Sequence, residues 1–446
     1  MPLAHYLKPF LSMNFCSHYR SFEMMPGAGM ETTPARAANT NHEGGIPMKY
    51  SDELGELITK FEMGGVDRRQ FIKRALLMGL SLSSIGLFLS SRNISPGEAF
   101  AAPPPAGKPV DVTVGFFPSW VGGWSGVVIK HLDLWKKYLP AGSNVTWDIQ
   151  VVGPPIVANL MANKSQIGYM GDMPALVATT KRDIADIRIV EVNTYSDTGQ
   201  ICSCMLVRSD APNFKDIDEA VKWLDGKNIG VSGKGSCGDR FVSSLIRKTG
   251  IHPKIEYLDP TIIMTSLESK KIDAAQSFQP HVAQIMDTGK GRLVFTGSKW
   301  SAQDANFILM RKDFIDSSPD GAKGWVKADI EALQFMLKKP VETAQMVGQE
   351  LPGYTVKDLW MALYGRYPEG TGSQKNTTLL QVGFDDHVMA FIDDSFKFLH
   401  ERKIIPMDKP LPGAIYTDLV NAALKEMGVT IPIGATGGLP PSDFKG

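Results

Sequence analysis

From Val110 onward, short runs with a period of two alternate with stretches of helical periodicity. That alternation restricts the chain to an α/β architecture with a largely parallel sheet. Val110–Val114 alternates and stops at Gly115, the pattern of a half-buried first strand. After a loop at 116–124, a helix is expected over Ser125–Tyr138, a strand over 145–152, a helix over Pro155–Ala162 and a short strand ending at Met170. Gly171–Pro174 then turns into another helix. The middle repeats the theme, with strands at Asn228–Ser232, Lys254–Leu258 and Ile272–Gln276 around helices at Asp239–Lys248 and Thr261–Lys270. Past Pro319 the chain reads as helical, at Ala328–Lys338, Val341–Glu350 and Phe384–Arg402. The last of these places Phe384, Val388, Phe391, Ile392 and Leu399 on one face. The Gly- and Pro-rich tail from Thr430 is expected to lie extended over the surface.

The first hundred residues stand outside this pattern. Arg68-Arg69-Gln70-Phe71-Ile72-Lys73 introduces a mostly apolar run from Ala75 to Leu89, and Ala99-Phe100-Ala101 offers a small-x-small cleavage site. The run is shorter than the ~20 residues a bilayer span needs. These features resemble a twin-arginine export signal, with Arg68, Arg69, Phe71, Lys73, Ala99 and Ala101 as its working residues. The resemblance implies a folded product delivered to the periplasm. Residues 1–47 show no periodicity and read as a disordered leader or an over-long gene start. Residues 48–102 form the signal region, and no lipid-attachment cysteine follows the apolar run. The remaining chain, 103–446, is long enough for two lobes. Forty-seven basic residues balance 47 acidic ones, so composition gives no footprint for nucleic acid or a membrane surface.

Cys204–Asp210 and Ile308–Asp313 are both apolar strands ending in Arg-x-Asp, on either side of a self-contained α/β segment. A chain that leaves one lobe by a strand and returns by a matching one makes a two-strand hinge. The boundaries so read are 103–207 for the first part of lobe 1, 208–300 for lobe 2, and 301–446 for the return with its C-terminal helices.

Leu160–Ala175, which holds Gly171-Asp172-Met173-Pro174, together with Gly226–Val231, Lys271–Pro280 and Lys339–Ala344, resembles the periplasmic substrate-binding proteins of ABC importers for nitrate, taurine and sulfonates. The resemblance covers nearly all of the mature chain. It implies a type II periplasmic-binding-protein fold, a monomeric transport receptor rather than an enzyme, no cofactor, and a small anion or organic oxyanion as ligand. It also implies permease and ATPase subunits in the inner membrane as partners.

Ligands of open α/β sheets bind beyond the carboxyl ends of strands, where helix N-termini present free amides. Loops 116–125, 171–174 and 232–239 fit that position, as does the polar stretch Ser196–Gln200. The candidate ligand residues are Pro118, Ser119, Trp120, Gly171, Met173, Ser196, Thr198, Ser236, Cys237 and Gln279. The hydroxyls of Ser119, Thr198 and Ser236 could hold an oxyanion, or could simply cap helices and turns. Trp120 is expected against the ligand and Trp124 in packing. Asp172 reads as a cap, because a buried carboxylate would repel an anion.

Gly233-Lys-Gly-Ser-Cys-Gly238 also fits a dinucleotide fingerprint, with Glu256 eighteen residues past Gly238. The rival reading is therefore an exported oxidoreductase with a nucleotide at Gly233–Gly238. A weaker one is a soft-metal receptor using Cys202, Cys204 and Cys237; the preferred reading of these thiols is as small core residues. His131, His252, His281 and His387 show no metal-ligand spacing and read as surface or cap residues.

Overall fold

The computed structural model describes residues 48–62, 66, 68–78, 107–300, 302–372 and 377–446. Two compact units, Met1–Ala101 and Ala102–Gly446, divide the chain. In the first, helices Met48–Glu62 and Arg68–Leu77 pack through Leu57, Ile72 and Ala75, with the Phe61 and Phe71 rings stacked at 4.5 Å. Arg68, Arg69, Phe71 and Lys73 thus sit on one short helix, Phe71 buried and Lys73 exposed. Ala99, Ala101, most of the apolar run and residues 1–47 lie outside the described residues. Among the described residues no helix is long and apolar enough to cross a membrane.

The second unit opens with β1 (Asp111–Phe116), where Val112, Val114 and Phe116 are buried as the period-two pattern requires. The helix expected over Ser125–Tyr138 is two helices, Trp124–His131 and Trp135–Tyr138, because the chain turns between them through a left-handed Asp133 (φ 52°). Strands β2 (Asn144–Ile149) and β3 (Ile167–Gly171) pair parallel to β1 on either side. The long β4 (Ile187–Ser196), which the periodicity did not suggest, is a nearly continuous buried run. A strand covered on both faces loses the alternation that marks a half-exposed one.

The chain then crosses to a second sheet, β5 (Cys204–Arg208), β6 (Asn228–Val231), β7 (Lys254–Tyr257), β8 (Ala274–Ser277) and β9 (Gly291–Thr296). It returns as β10 (Asp304–Arg311), β11 (Thr378–Leu380) and β12 (Gly434–Thr436). The sheet orders are β12-β11-β4-β10-β3-β1-β2 and β7-β6-β8-β5-β9. Each lobe holds a parallel triple, β2-β1-β3 or β7-β6-β8, flanked by an antiparallel strand next to the hinge, β10 or β5. This matches the α/β two-lobe expectation, with corrections. The helix expected at Ala328–Lys338 begins earlier, as Pro319–Lys338, and the tail supplies an edge strand, β12, instead of only lying over the surface.

The hinge is also displaced. Cys204–Arg208 pairs with β8 and β9, so it belongs to lobe 2 and not to the end of lobe 1. Ser196 pairs with Asp304 in one sheet and Cys204 with Thr296 in the other, so the two crossovers run side by side at 197–203 and 297–303. The Arg-x-Asp echo misled because both strands are apolar and buried whichever lobe they serve.

These crossovers are tightly fixed. Asp304 accepts the amides of Ile201 and Cys202 at 3.1 and 2.8 Å, and the Tyr367 hydroxyl donates to the Gln200 carbonyl at 2.7 Å. Gly199 sits at φ +63°, and a Cβ there would lie 1.8 Å from the Ala302 carbonyl oxygen, so only glycine fits. The C-terminal helix Asp386–Glu401 buries Val388, Phe391, Ile392 and Leu399 in the lobe 1 core, as its spacing predicted.

Candidate functional site

Residues that follow each of the six parallel strands line a single cleft of about 560 Å³ between the lobes. Lobe 1 contributes Phe117 and Trp120 after β1, Val151–Pro154 after β2, and Met170, Gly171, Asp172 and Pro174 at the end of β3. Lobe 2 contributes Ser232–Cys237 after β6, Leu258–Thr261 after β7, and Phe278 and His281 after β8. This is where open parallel sheets place ligands, and five helices begin at its edge.

The lobe 1 wall is aromatic and aliphatic. Phe117 and Trp120 lie nearly parallel with ring centres 6.4 Å apart. Trp120 meets Phe278 of lobe 2 edge-on at 5.0 Å, so the rings touch across the cleft. The Trp120 indole N–H donates to Asn306 on β10, which holds the ring in place. Gly122 lets this loop approach β10, because a Cβ there would fall 2.2 Å from the Asn306 side chain. Trp124 is fully buried and donates to the Pro118 carbonyl at 2.9 Å.

The lobe 2 wall is a loop built on glycines. Gly233 and Gly235 have φ of +83° and +75°, and a Cβ on Gly238 would lie 1.9 Å from the Gln276 amide oxygen. Gln276 receives the Ser232 amide and hydroxyl and donates to the Cys202 carbonyl at 2.6 Å, tying the loop to β8 and the hinge. Ser236 caps the helix Cys237–Thr249, accepting from Asp239 N at 3.1 Å. Asp239 accepts the Gly235 amide at 2.9 Å and also pairs with Tyr257 and Arg402. The fingerprint glycines are thus explained by loop geometry and packing. A carboxylate already occupies an amide that a diphosphate would need.

The cysteines correct the sequence expectation. Cys202 and Cys237 form a disulfide that joins the hinge crossover to the cleft loop, and among the described residues only Cys204 is a free thiol, and it is buried. The two partners lie 35 residues apart in sequence, in a loop and at a helix start, so no spacing rule announced the pair. Burial pushes the Cys204 thiol far above its ordinary range. Among the described residues no group of three or more His, Cys, Asp or Glu side chains is arranged to hold a metal.

The charges of the cleft are sparse. Lys234 is exposed and forms no ion pair among the described residues. Asp259 caps the next helix through Thr261 at 2.9 Å. Asp172 is 1% exposed; its Oδ1 accepts the Met173 amide at 2.6 Å, while Oδ2 makes no hydrogen bond of ordinary geometry. Burial raises its pKa to about 6, against the opposing charge of Arg240 and the amides of Met173 and Ala305. Arg240, partly buried, reaches from lobe 2 to lobe 1, where it stacks on Phe391 at 4.9 Å. At the hinge, burial raises Asp304 to about 8. Burial lowers His281 to about 4, with Asp259 opposing, so its ring faces the cleft uncharged at neutral pH.

Of the residues predicted from sequence, Trp120, Gly171, Ser236 and Cys237 meet at this cleft. The others lie beside or behind the lining. Pro118 is buried under Trp124, Ser119 donates to the Val151 carbonyl at 2.8 Å, and Met173 is in the core. Ser196 and Thr198 bond to each other at the first crossover. Gln279 bonds Tyr367 and the Ala283 amide, as hinge framework rather than a ligand contact. His281, read as a surface or cap residue, is buried against Phe278 and bonds Tyr354 at 2.6 Å. The loops after β2 and β7 were missed, although the strand-to-helix rule applied to all six parallel strands would have found them. Ile404 arrives from the C-terminal region, which no local signal indicates.

The two-lobed fold is shared with solved structures. The alkanesulfonate-binding protein SsuA from Xanthomonas axonopodis pv. citri, bound to MOPS, superposes with a TM-score of 0.55 at 18% identity, covering 70% of this chain and all (100%) of that one. The periplasmic nitrate-binding protein NrtA from Synechocystis PCC 6803 gives 0.55 at 16% identity, covering 74% and 91%. A desulfurization enzyme shares the fold as well. By sequence, the taurine-binding periplasmic protein of Escherichia coli K12 is 27% identical over 207 residues, which is 45% of this chain and 60% of that protein. The model of the NMT1-like family matches residues 105–349, more than half of the sequence, and the chain belongs to that family.

Proposed function

We propose that this protein is the solute receptor of an ABC importer: it closes two lobes over a small molecule and presents the closed form to a membrane permease and its ATPase. The observation that carries the reading is the single cleft lined by the ends of all six parallel strands, with the two crossovers running side by side behind it. A ligand there touches both lobes only when they are shut, so binding shifts the population toward the closed form. The sulfonate, nitrate and taurine binding named for similar proteins supports the receptor class. An acidic ligand of that kind would depend on the helix N-termini and Lys234, against the carboxylates of Asp172 and Asp259. Solution scattering on the full chain, with and without ligands drawn from those classes and from small organic solutes, tests the reading. A ligand-dependent contraction is expected, and a radius unchanged by every saturating ligand would sink it.

Delivery by the twin-arginine route belongs to the same proposal, with Arg68, Arg69, Phe71 and Lys73 as the recognised residues and cleavage after Ala101. Replacing both arginines with lysine should leave the chain in the cytoplasm; continued periplasmic accumulation would refute this part alone.

A further inference from the structure

The chemistry of the cleft narrows its ligand further, resting on the receptor reading above. Its volume, about 560 Å³, is in the range of sites that hold drug-sized organic molecules, and a four-atom oxyanion would leave most of it empty. Its walls carry Phe117, Trp120, Phe278 and an uncharged His281, with Val151, Val157 and Met170 between them. Rings in this arrangement offer flat apolar faces, and few polar groups compete for them. The charged groups that face the space are two carboxylates, Asp172 and Asp259, and one ammonium, Lys234. The polar groups of the lobe 2 loop are largely engaged: Ser232 and Ser236 both donate within the loop or to Gln276, and Gly235 N is held by Asp239. Asp172 alone is buried to 1% exposure and keeps an oxygen without a hydrogen bond of ordinary geometry. Such an acceptor repels an oxyanion and attracts an N–H.

We propose that the cleft takes a ring-bearing organic solute that presents a hydrogen-bond donor, not an acidic group, to Asp172. The ring lies against Trp120 and Phe278, and the donor end meets Oδ2 of Asp172. Nitrate and taurine lack the ring, and aromatic acids place like charge beside Asp172.

The test is calorimetric titration of the full chain with matched pairs: 2-phenylethylamine against phenylacetate, tryptamine against indole-3-acetate, and nicotinamide against nicotinate. Nitrate and taurine form a third arm. The expected result is that at least one donor-bearing member binds at least 10-fold more tightly than its acidic partner, with no heat from nitrate or taurine. In Asp172→Asn that preference should shrink at least 5-fold, and Phe278→Leu should weaken the amine or amide probe without inverting the preference. Equal or tighter binding of the acids overturns the proposal, as does binding of nitrate or taurine alone; either result leaves the receptor reading standing. Silence in every arm overturns the proposal, and the scattering experiment then decides the receptor reading separately.

Discussion

The two lobes repeat one plan and use it for different purposes. Each has a parallel triple whose strand ends feed helices at the cleft, flanked by an antiparallel strand next to the hinge. In lobe 1 the loop after the first strand carries bulk: Phe117 and Trp120 are both buried and stacked. In lobe 2 the equivalent loop has no ring: Gly233, Gly235 and Gly238 alternate with Lys234, Ser236 and Cys237, and the loop is braced from behind by Gln276, Asp239 and the Cys202–Cys237 disulfide. One lobe therefore supplies a surface, and the other supplies a shaped main chain. Equivalent topology fixes where a loop stands; its composition fixes what it can recognise.

This contrast can be broken from either side. The largest effect is expected in lobe 1: Trp120→Ala should cost about 3–5 kcal/mol of unfolding free energy and abolish ligand-induced contraction. Urea denaturation and scattering read both, and retained contraction would show that the ring is only packing. In lobe 2, Cys202→Ser with Cys237→Ser should cost about 2–4 kcal/mol, read by urea denaturation against the oxidised parent. An unchanged midpoint would mean the brace is redundant. Gly238→Ala should cost about 1–3 kcal/mol, because Gln276 is held by three hydrogen bonds and cannot yield. Wild-type stability there would show that the loop tolerates a side chain after all.

Smaller effects test the seam between the lobes. Asp304 has a folded-state pKa raised to about 8, so its stabilising contribution is complete below the ordinary carboxylate range and is lost as pH rises through about 8. The melting temperature should fall between about pH 4 and pH 8, and Asp304→Asn should flatten that slope. An equally steep decline in the variant would assign it to other groups. Arg402 joins Asp239 across the lobes at 3.1 Å but is about one-third exposed (34%). Arg402→Ala should therefore change stability by less than about 1 kcal/mol, while weakening closure measured by scattering at subsaturating ligand.

Local chemistry made much of this molecule readable. The strand β1, the helix Asp386–Glu401 with its buried face, and the Ser236 cap all follow from period and cap residues within a few positions of each other. Trp120, Gly171, Ser236 and Cys237 were legible because they sit in strand-to-helix loops, and such loops gather at one edge of a parallel sheet. Ser119, Thr198 and Gln279 occupy similar loops or turns, yet their polar groups are spent on the Val151 carbonyl, on the side chains of Ser196 and Gln200, and on Tyr367 and the Ala283 amide. Nothing in the sequence separates a hydroxyl facing a ligand from one facing a carbonyl, since a rotation about a single bond decides between them.

The sequence by itself determined the two-lobe α/β plan and the strand-to-helix loops that gather at the cleft, because periodicity and turn chemistry act over a few residues. Only the tertiary structure decided which residues meet. It moved the hinge to 197–203 and 297–303, paired Cys202 with Cys237, brought Ile404 and Arg402 from the far end of the chain to the lobe 2 loop, and buried Asp172 at the cleft. Each of those outcomes joins segments far apart in sequence, and contacts of that kind are set by how whole sheets and helices pack.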